Sequence, residues 1–109
     1  MHELAIVESI VAAVEDATRP RRVARVRLEI GALSGVLPEA LAFCFELCAR
    51  ETPLDGAWLQ IDEIPGRARC RACGTELALE CLFDLCRCGS RDLEVEAGQE
   101  LRIAEVEVQ

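Results

Sequence analysis

The sequence lacks long apolar runs and has few basic side chains. None of its apolar runs approaches the roughly 20 residues that a bilayer-crossing helix needs. Its start also lacks the basic and apolar regions of a signal peptide, so we expect a cytoplasmic protein without a membrane partner. The 12 basic and 20 acidic side chains give a formal net charge of −8. Such a charge repels phosphate backbones, which argues against a nucleic-acid partner.

Histidine is almost absent, because His2 is the only one in the chain. A histidine at that position, with the clustered cysteines engaged elsewhere, leaves no Ser/His or Cys/His pair from which to build a nucleophilic site. The sequence therefore predicts a protein that is not an enzyme.

Apolar spacing predicts two amphipathic helices. The first begins at Leu4 and ends near Asp16, before a proline at position 20, and the second runs from Pro38 to about Arg50. In both, apolar side chains recur at steps of three and four residues, which places them on one helix face. The predicted inward residues are Leu4, Val7, Ile10, Val11 and Val14, followed by Leu41, Cys44, Phe45 and Cys48.

Alternating apolar residues predict three strands, at 25–30, 57–64 and 101–108. In the last strand the alternation changes phase near Ala104, which indicates a β-bulge. We predict an α+β fold in which two helices cover one face of a three-stranded sheet, with a metal-binding lobe inserted between two strands. Residues 1–65 and 98–109 then form one domain and residues 66–97 the lobe. The two crossings between them are candidate hinges.

The seven cysteines are better explained by metal ligation than by disulfides, because their number is odd and several form spaced pairs. Cys70 and Cys73 form a C-x-x-C pair followed by a glycine, and Cys86 and Cys88 form a C-x-C pair also followed by a glycine. Two such pairs predict a tetrahedral zinc site with Zn–S distances of about 2.3 Å. Four sulfur ligands leave no open position, so this zinc is expected to be structural.

The other three cysteines leave one alternative open. The C-x-C pair is one residue shorter than the usual knuckle, and Cys81 is close enough in sequence to replace one of its members. We otherwise expect Cys81 to pack in a small apolar cluster with Leu79, Leu82 and Phe83. Cys44 and Cys48 lie four residues apart on the apolar face of the second helix, where reduced cysteines behave as small hydrophobic residues.

The N-terminus is a candidate for a second metal site. The Met1 amine, the His2 amide and the His2 imidazole can form adjoining chelate rings in one plane, a geometry suited to nickel(II) or copper(II). The carboxylate of Glu3 follows directly. The alternative is that a lone terminal histidine is simply solvated, since terminal residues are often poorly ordered.

Together these features resemble HypA, the nickel incorporation family of [NiFe] hydrogenase maturation. The resemblance covers essentially the whole chain and rests on the Met1-His2-Glu3-Leu4 start, the segment 27–36, the cysteine pairs and the ending 100–108. It implies a structural zinc lobe, nickel bound by the N-terminal Met-His motif, and a HypB-type GTPase that helps to load the hydrogenase large subunit. By this resemblance His2 is the principal nickel ligand, joined by the Met1 amine, with Glu3 in a tuning or partner-contact role.

The C-x-C pair of Cys86 and Cys88 departs from the family pattern, because the second cysteine pair of the family is usually C-x-x-C. Some relatives also serve urease maturation, so urease maturation proteins are further candidate partners.

Two other classes of protein use similar cysteines. A zinc-ribbon module that binds nucleic acid would need a basic face, and segment 67–97 contains more acidic than basic side chains. An iron-tetrathiolate electron carrier would be red, whereas a zinc protein is colourless.

Overall fold

The computed structural model describes residues 2–109, which form an elongated molecule of 54 × 21 × 17 Å. Within these residues no helix is long and apolar enough to cross a membrane. Two helices and six strands follow one another along the chain: α1 Glu3–Thr18, β1 Val23–Gly31, α2 Pro38–Ala49, β2 Trp58–Ile64, β3 Gly66–Cys70, β4 Glu76–Leu79, β5 Leu93–Ala97 and β6 Leu101–Val108.

The first sheet has the order β2-β1-β6, with β1 parallel to β2 and antiparallel to β6. This confirms the predicted α+β fold with its three-stranded sheet. The predicted bulge is also present. Arg27 pairs with Glu105 and Leu28 with Ile103, so Ala104 has no partner in β1. The extra residue restores the apolar phase of the last strand, because it returns Val106 to the side of the sheet that packs against the core.

Both helices pack on one face of this sheet and enclose the main core. The core consists of buried side chains from β1, α1, α2 and the neighbouring loops: Val23, Val26, Leu28, Ile30, Val7, Val11, Val14, Leu41, Phe45, Ala49, Val36 and Leu54. Cys44 and Cys48 are partly buried against it, as predicted. The prediction for Leu4 is wrong, because its side chain is 48% exposed. Burial in α1 begins at Val7, nearly one turn further along the helix.

The inserted lobe contains a second sheet that sequence analysis missed. Its order is β4-β3-β5, and both pairings are antiparallel. The strands are four or five residues long, so each gives only a short alternating pattern. Few side chains are buried in this lobe, namely Ala68, Cys70, Leu79 and Cys86. Two of these four are cysteines, so the lobe buries little apolar surface of its own.

The apolar cluster predicted around Cys81 is not formed. Leu79 is buried, but Cys81 and Leu82 are exposed and Phe83 is 91% exposed. The cause is the turn itself. The Asp84 carboxylate accepts hydrogen bonds from the backbone N–H groups of residues 80 and 81, at 2.8 and 3.2 Å, and so closes a compact turn that directs the intervening side chains outward.

The residues that follow β1 contact both places where the chain crosses between the two sheets, one near residues 64–66 and the other near residues 97–98. After β1, the N–H of Ala32 donates to the carbonyl of Ile64 at 2.8 Å, and that of Leu33 donates to Gly98 at 2.7 Å. A Cβ atom on Gly31 would lie 1.9 Å from the carbonyl oxygen of Gly98. Glycine at position 31 is therefore required by close approach of backbone to backbone.

We predict that Gly31→Ala lowers the free energy of unfolding by about 3 kcal/mol, because its methyl group can fit only if the Gly98 backbone moves. Gly56→Ala is the control. Gly56 has a φ of +81° and no atom within 4 Å of a built Cβ, so this change should cost only about 1 kcal/mol of backbone strain. Urea unfolding followed by circular dichroism measures both. Equal losses would contradict the proposed close contact.

Candidate metal centre

Four cysteine sulfurs converge at one end of the second sheet. The Sγ atoms of Cys70, Cys73, Cys86 and Cys88 all lie within 4.8 Å of one another. Two of the S···S distances are short, 3.7 Å for Cys70–Cys88 and 3.6 Å for Cys73–Cys86. A tetrahedron with Zn–S bonds of about 2.3 Å has edges of about 3.8 Å. The four residues therefore fit a tetrahedral thiolate-bound metal ion.

The two cysteine pairs are built as similar turns despite their different lengths. The N–H of Gly74 donates to the carbonyl of Cys70 at 2.8 Å, and the N–H of Gly89 donates to that of Cys86, also at 2.8 Å. Both glycines have positive φ, +77° and +89°. Each glycine thus turns the chain back onto the first cysteine of its pair. The shorter C-x-C spacing is accommodated by a turn that closes one residue earlier.

Polar contacts hold the two turns against each other. Arg71, between the cysteines of the first pair, donates through its backbone N–H to the carbonyl of Asp92 at 2.9 Å. Its guanidinium also meets the Asp92 carboxylate at 2.9 Å. Asp92 follows the second pair closely in sequence, and its N–H donates to the hydroxyl of Ser90 at 3.0 Å. These contacts orient the ligands from outside the sulfur cluster.

The electrostatic environment gives the thiols of Cys73 and Cys86 different pKa values. Thr75, through its hydroxyl and its backbone N–H, lowers the pKa of Cys73 to about 6. At Cys86 the N–H of Cys88 favours the thiolate, but burial and the neighbouring thiols outweigh it and raise the pKa to about 11. Neutral pH therefore favours a thiolate at Cys73, while Cys86 needs a cation to lose its proton. Metal binding to all four sulfurs releases protons and strengthens as pH rises.

Cys81 does not belong to the sulfur group. Its thiol lies 3.2 Å from Oδ1 of Asp84 and donates to it, within the exposed turn. The described residues contain one group of three or more potential metal-binding side chains, and Cys81 is outside it. The structure thus brings together the set favoured by the spacing and leaves the alternative ligand apart.

The predicted N-terminal site is only partly within the described residues, because Met1 lies outside them. His2 is exposed and immediately precedes α1, and its carbonyl accepts a hydrogen bond from the N–H of Ile6 at 3.2 Å. The carboxylate of Glu3 accepts one from the N–H of Leu37, also at 3.2 Å. The backbone N–H groups of Glu3 itself and of Leu37 lower the pKa of this carboxyl. The contact ties the N-terminal motif to the start of α2.

Sequence reasoning missed the contact between Glu3 and Leu37. These residues are 34 positions apart, and the donor is a backbone N–H. Every residue except proline carries such a donor, so nothing at Leu37 marks it in the sequence.

An α+β sheet domain joined to a lobe with four converging cysteine sulfurs defines a class of protein with a candidate metal site in its lobe. A family model described as hydrogenase/urease nickel incorporation, metallochaperone, hypA, matches residues 1–108. The chain belongs to this HypA family. The hydrogenase maturation factor HypA of Nostoc sp. is 51% identical over 109 residues, spanning 100% of this chain and 96% of that protein. That of Geobacter metallireducens is 48% identical over 110 residues, spanning 100% of both.

Solved structures show the same fold. The solution structure of the Ni metallochaperone HypA from Helicobacter pylori has a TM-score of 0.69 and 24% identity, covering 99% of this chain and 97% of that one. A second, described as the solution structure of HypA protein, has a TM-score of 0.71 and 25% identity, covering 100% and 97%. The predicted family is confirmed. A metallochaperone carries metal and is not an enzyme, so family membership also confirms the predicted class.

We predict that Cys86→Ser abolishes stable zinc binding, whereas Cys81→Ser retains about one zinc per chain, because only Cys86 points into the four-sulfur group. The two variants make the same chemical change at positions five residues apart, and they differ in burial, because Cys86 is buried and Cys81 is exposed. Metal analysis after dialysis against a chelator measures the outcome. Zinc loss in the Cys81 variant alone would make Cys81 the fourth ligand.

Proposed function

We propose that this chain binds Ni(II) at its N-terminus and, with a HypB-type GTPase, delivers it to the large subunit of [NiFe] hydrogenase. Membership of a nickel-incorporation family across residues 1–108 carries the proposal. The exposed His2 at the start of α1 supports it, since a ligand that transfers metal must be reachable by a second protein. Residues 1–65 and 98–109 are the nickel-binding domain in this proposal, and residues 66–97 are the zinc-binding domain.

The nickel ligands in this proposal are the Met1 amine, the His2 amide nitrogen and the His2 imidazole, with Glu3 beside them. Three nitrogens in adjoining chelate rings suit a planar Ni(II) site. The hydrogen bond from Leu37 to Glu3 supports a positioning role for the carboxylate, because it holds the residue after His2 against the folded domain. Nickel is the cargo, so the remaining coordination positions stay open to an acceptor.

The zinc ligands are Cys70, Cys73, Cys86 and Cys88. The two short S···S distances, 3.6 and 3.7 Å, support this assignment. Zinc bound by four thiolates has no exchangeable position, so its contribution is to hold the lobe together. The scarcity of buried side chains in the lobe supports this structural role, because its sheet has little apolar area with which to stabilise itself.

The proposed client is hydrogenase, because the Nostoc and Geobacter relatives are both named hydrogenase maturation factors. The family description names urease as well, so urease maturation proteins are the second candidate client. Seven free cysteines favour a reducing compartment, and we place the protein in the cytoplasm.

We expect His2→Ala to lose nickel binding and to retain about one zinc per chain, because the imidazole belongs to the N-terminal site and none of the four sulfurs does. Calorimetric titration with Ni(II), paired with zinc analysis of the same sample, tests this. Retained nickel binding in the variant would refute the assignment of His2, and simultaneous zinc loss would show that the two sites are not independent.

Residues added before Met1 should weaken nickel binding while zinc stays bound. The extension replaces the terminal amine with an amide, which is a much poorer ligand for Ni(II). The control is the same extension removed by a protease that restores Met1 as the first residue. Titration of both forms under one set of conditions should show restored affinity after cleavage. Unchanged nickel affinity in the extended protein would contradict a ligand role for the amine.

A further inference from the structure

The two helices carry charge of one sign only. Between them they contain six carboxylates and no basic side chain: Glu3, Glu8, Glu15 and Asp16 in α1, and Glu39 and Glu46 in α2. Arg19 and Arg50 follow the helices, and Arg19 pairs with Glu15 at 3.0 Å. The helical layer therefore holds an excess of negative charge that the helices do not neutralise.

Exposed apolar side chains lie on the same layer. Phe43 and Leu47 are 63% and 43% exposed and, being four residues apart in α2, they are neighbours on one side of the helix. Leu4 in α1 and Leu37 at the start of α2 are also exposed. We call these four apolar residues, with the six carboxylates, the helical face. Exposed apolar side chains together with charged ones are typical of a protein interaction surface.

Folding of the domain does not account for this charge. The last turns of α1 and α2 contain acidic residues and no basic one, although the negative end of the helix dipole favours cations there. The other side of the first sheet differs. Its arginines are paired across strands, with Arg25 contacting Glu105 and Arg27 contacting Asp62. Among the described residues, Glu15 is the only one of the six helical carboxylates that forms an ion pair.

The sign of the charge limits what can bind there. A second copy docking by a twofold axis would oppose carboxylates to carboxylates, which is repulsive. Nucleic acid and anionic membrane surfaces are repelled for the same reason. A protein surface with apolar residues at its centre and arginine or lysine around them satisfies both features of the helical face.

We propose that the helical face is the docking surface for a partner protein that presents an apolar centre within a basic rim. The location adds a functional reason. Glu3 and Leu4 belong to this face and follow His2 directly, so a partner seated there contacts the N-terminal motif. This step rests on the proposed function, which supplies the two probes for its test, the HypB-type GTPase and the hydrogenase large subunit.

The test measures binding of each probe to the native-terminus protein by biolayer interferometry, at low and at high salt. The variant carries Phe43→Ala and Leu47→Ala together. Its control is Trp58→Ala, because Trp58 is equally exposed, at 63%, but stacks near Arg25 on the opposite side of the sheet. For at least one probe we expect the double variant to bind about tenfold more weakly, with the control changed less than about twofold.

High salt should weaken binding of the unaltered protein, because the rim interaction is electrostatic. Glu46→Lys should weaken binding of the probe, and the loss should be larger at low salt than at high salt. The inference is overturned if neither probe binds, if the double variant binds as the unaltered protein does, or if Trp58→Ala causes the same loss. Nickel titration of the double variant distinguishes the docking proposal from the nickel-binding proposal. Nickel binding can be lost while docking persists, and docking can be lost while nickel binding persists.

Discussion

Strand β1 is paired along both of its edges, and the rest of the molecule depends on this pairing. Its partners are β2 on one side and β6 on the other, so the strands before and after the inserted lobe lie on either side of one central strand. The two crossings are thereby brought close together, and Ala32 and Leu33 bond to one each. A lobe with little core of its own is attached at a junction that the main sheet has already organised.

In the proposed function the two metal ions have different physical requirements, and they are assigned to separate parts of the chain. A structural ion needs a closed set of ligands, which the sulfur group supplies through two glycine-bearing turns held together by Arg71 and Asp92. A transported ion needs ligands that can exchange, which suits the exposed His2 ahead of α1. Glu3 connects that terminus to the loop between β1 and α2, the same loop that bonds the crossings.

Electrostatics divides the main domain into two unlike surfaces. On the open side of the sheet, cross-strand pairs such as Arg27 with Asp62 neutralise charge. Hydrogen bonds from Arg27 and Gln60 lower the pKa of the Asp62 carboxyl. On the helical side, carboxylates lie among exposed apolar residues without such partners within the helices. The arginines of the open side are paired within the chain, while the helical face keeps carboxylates and exposed apolar area, on which the proposed docking rests.

Residue patterns within short stretches were sufficient to predict the helices, the first sheet, the bulge at Ala104 and the favoured cysteine set, because each depends on local spacing. They did not reveal the second sheet, whose strands are too short to show a clear period, or the outward turn that exposes Phe83. The contact of Glu3 with Leu37 and the close approach of Gly31 to Gly98 were decided only in the tertiary structure. Each involves a backbone group of a segment distant in the chain, Leu37 in one case and Gly98 in the other, and backbone groups carry no mark in the sequence.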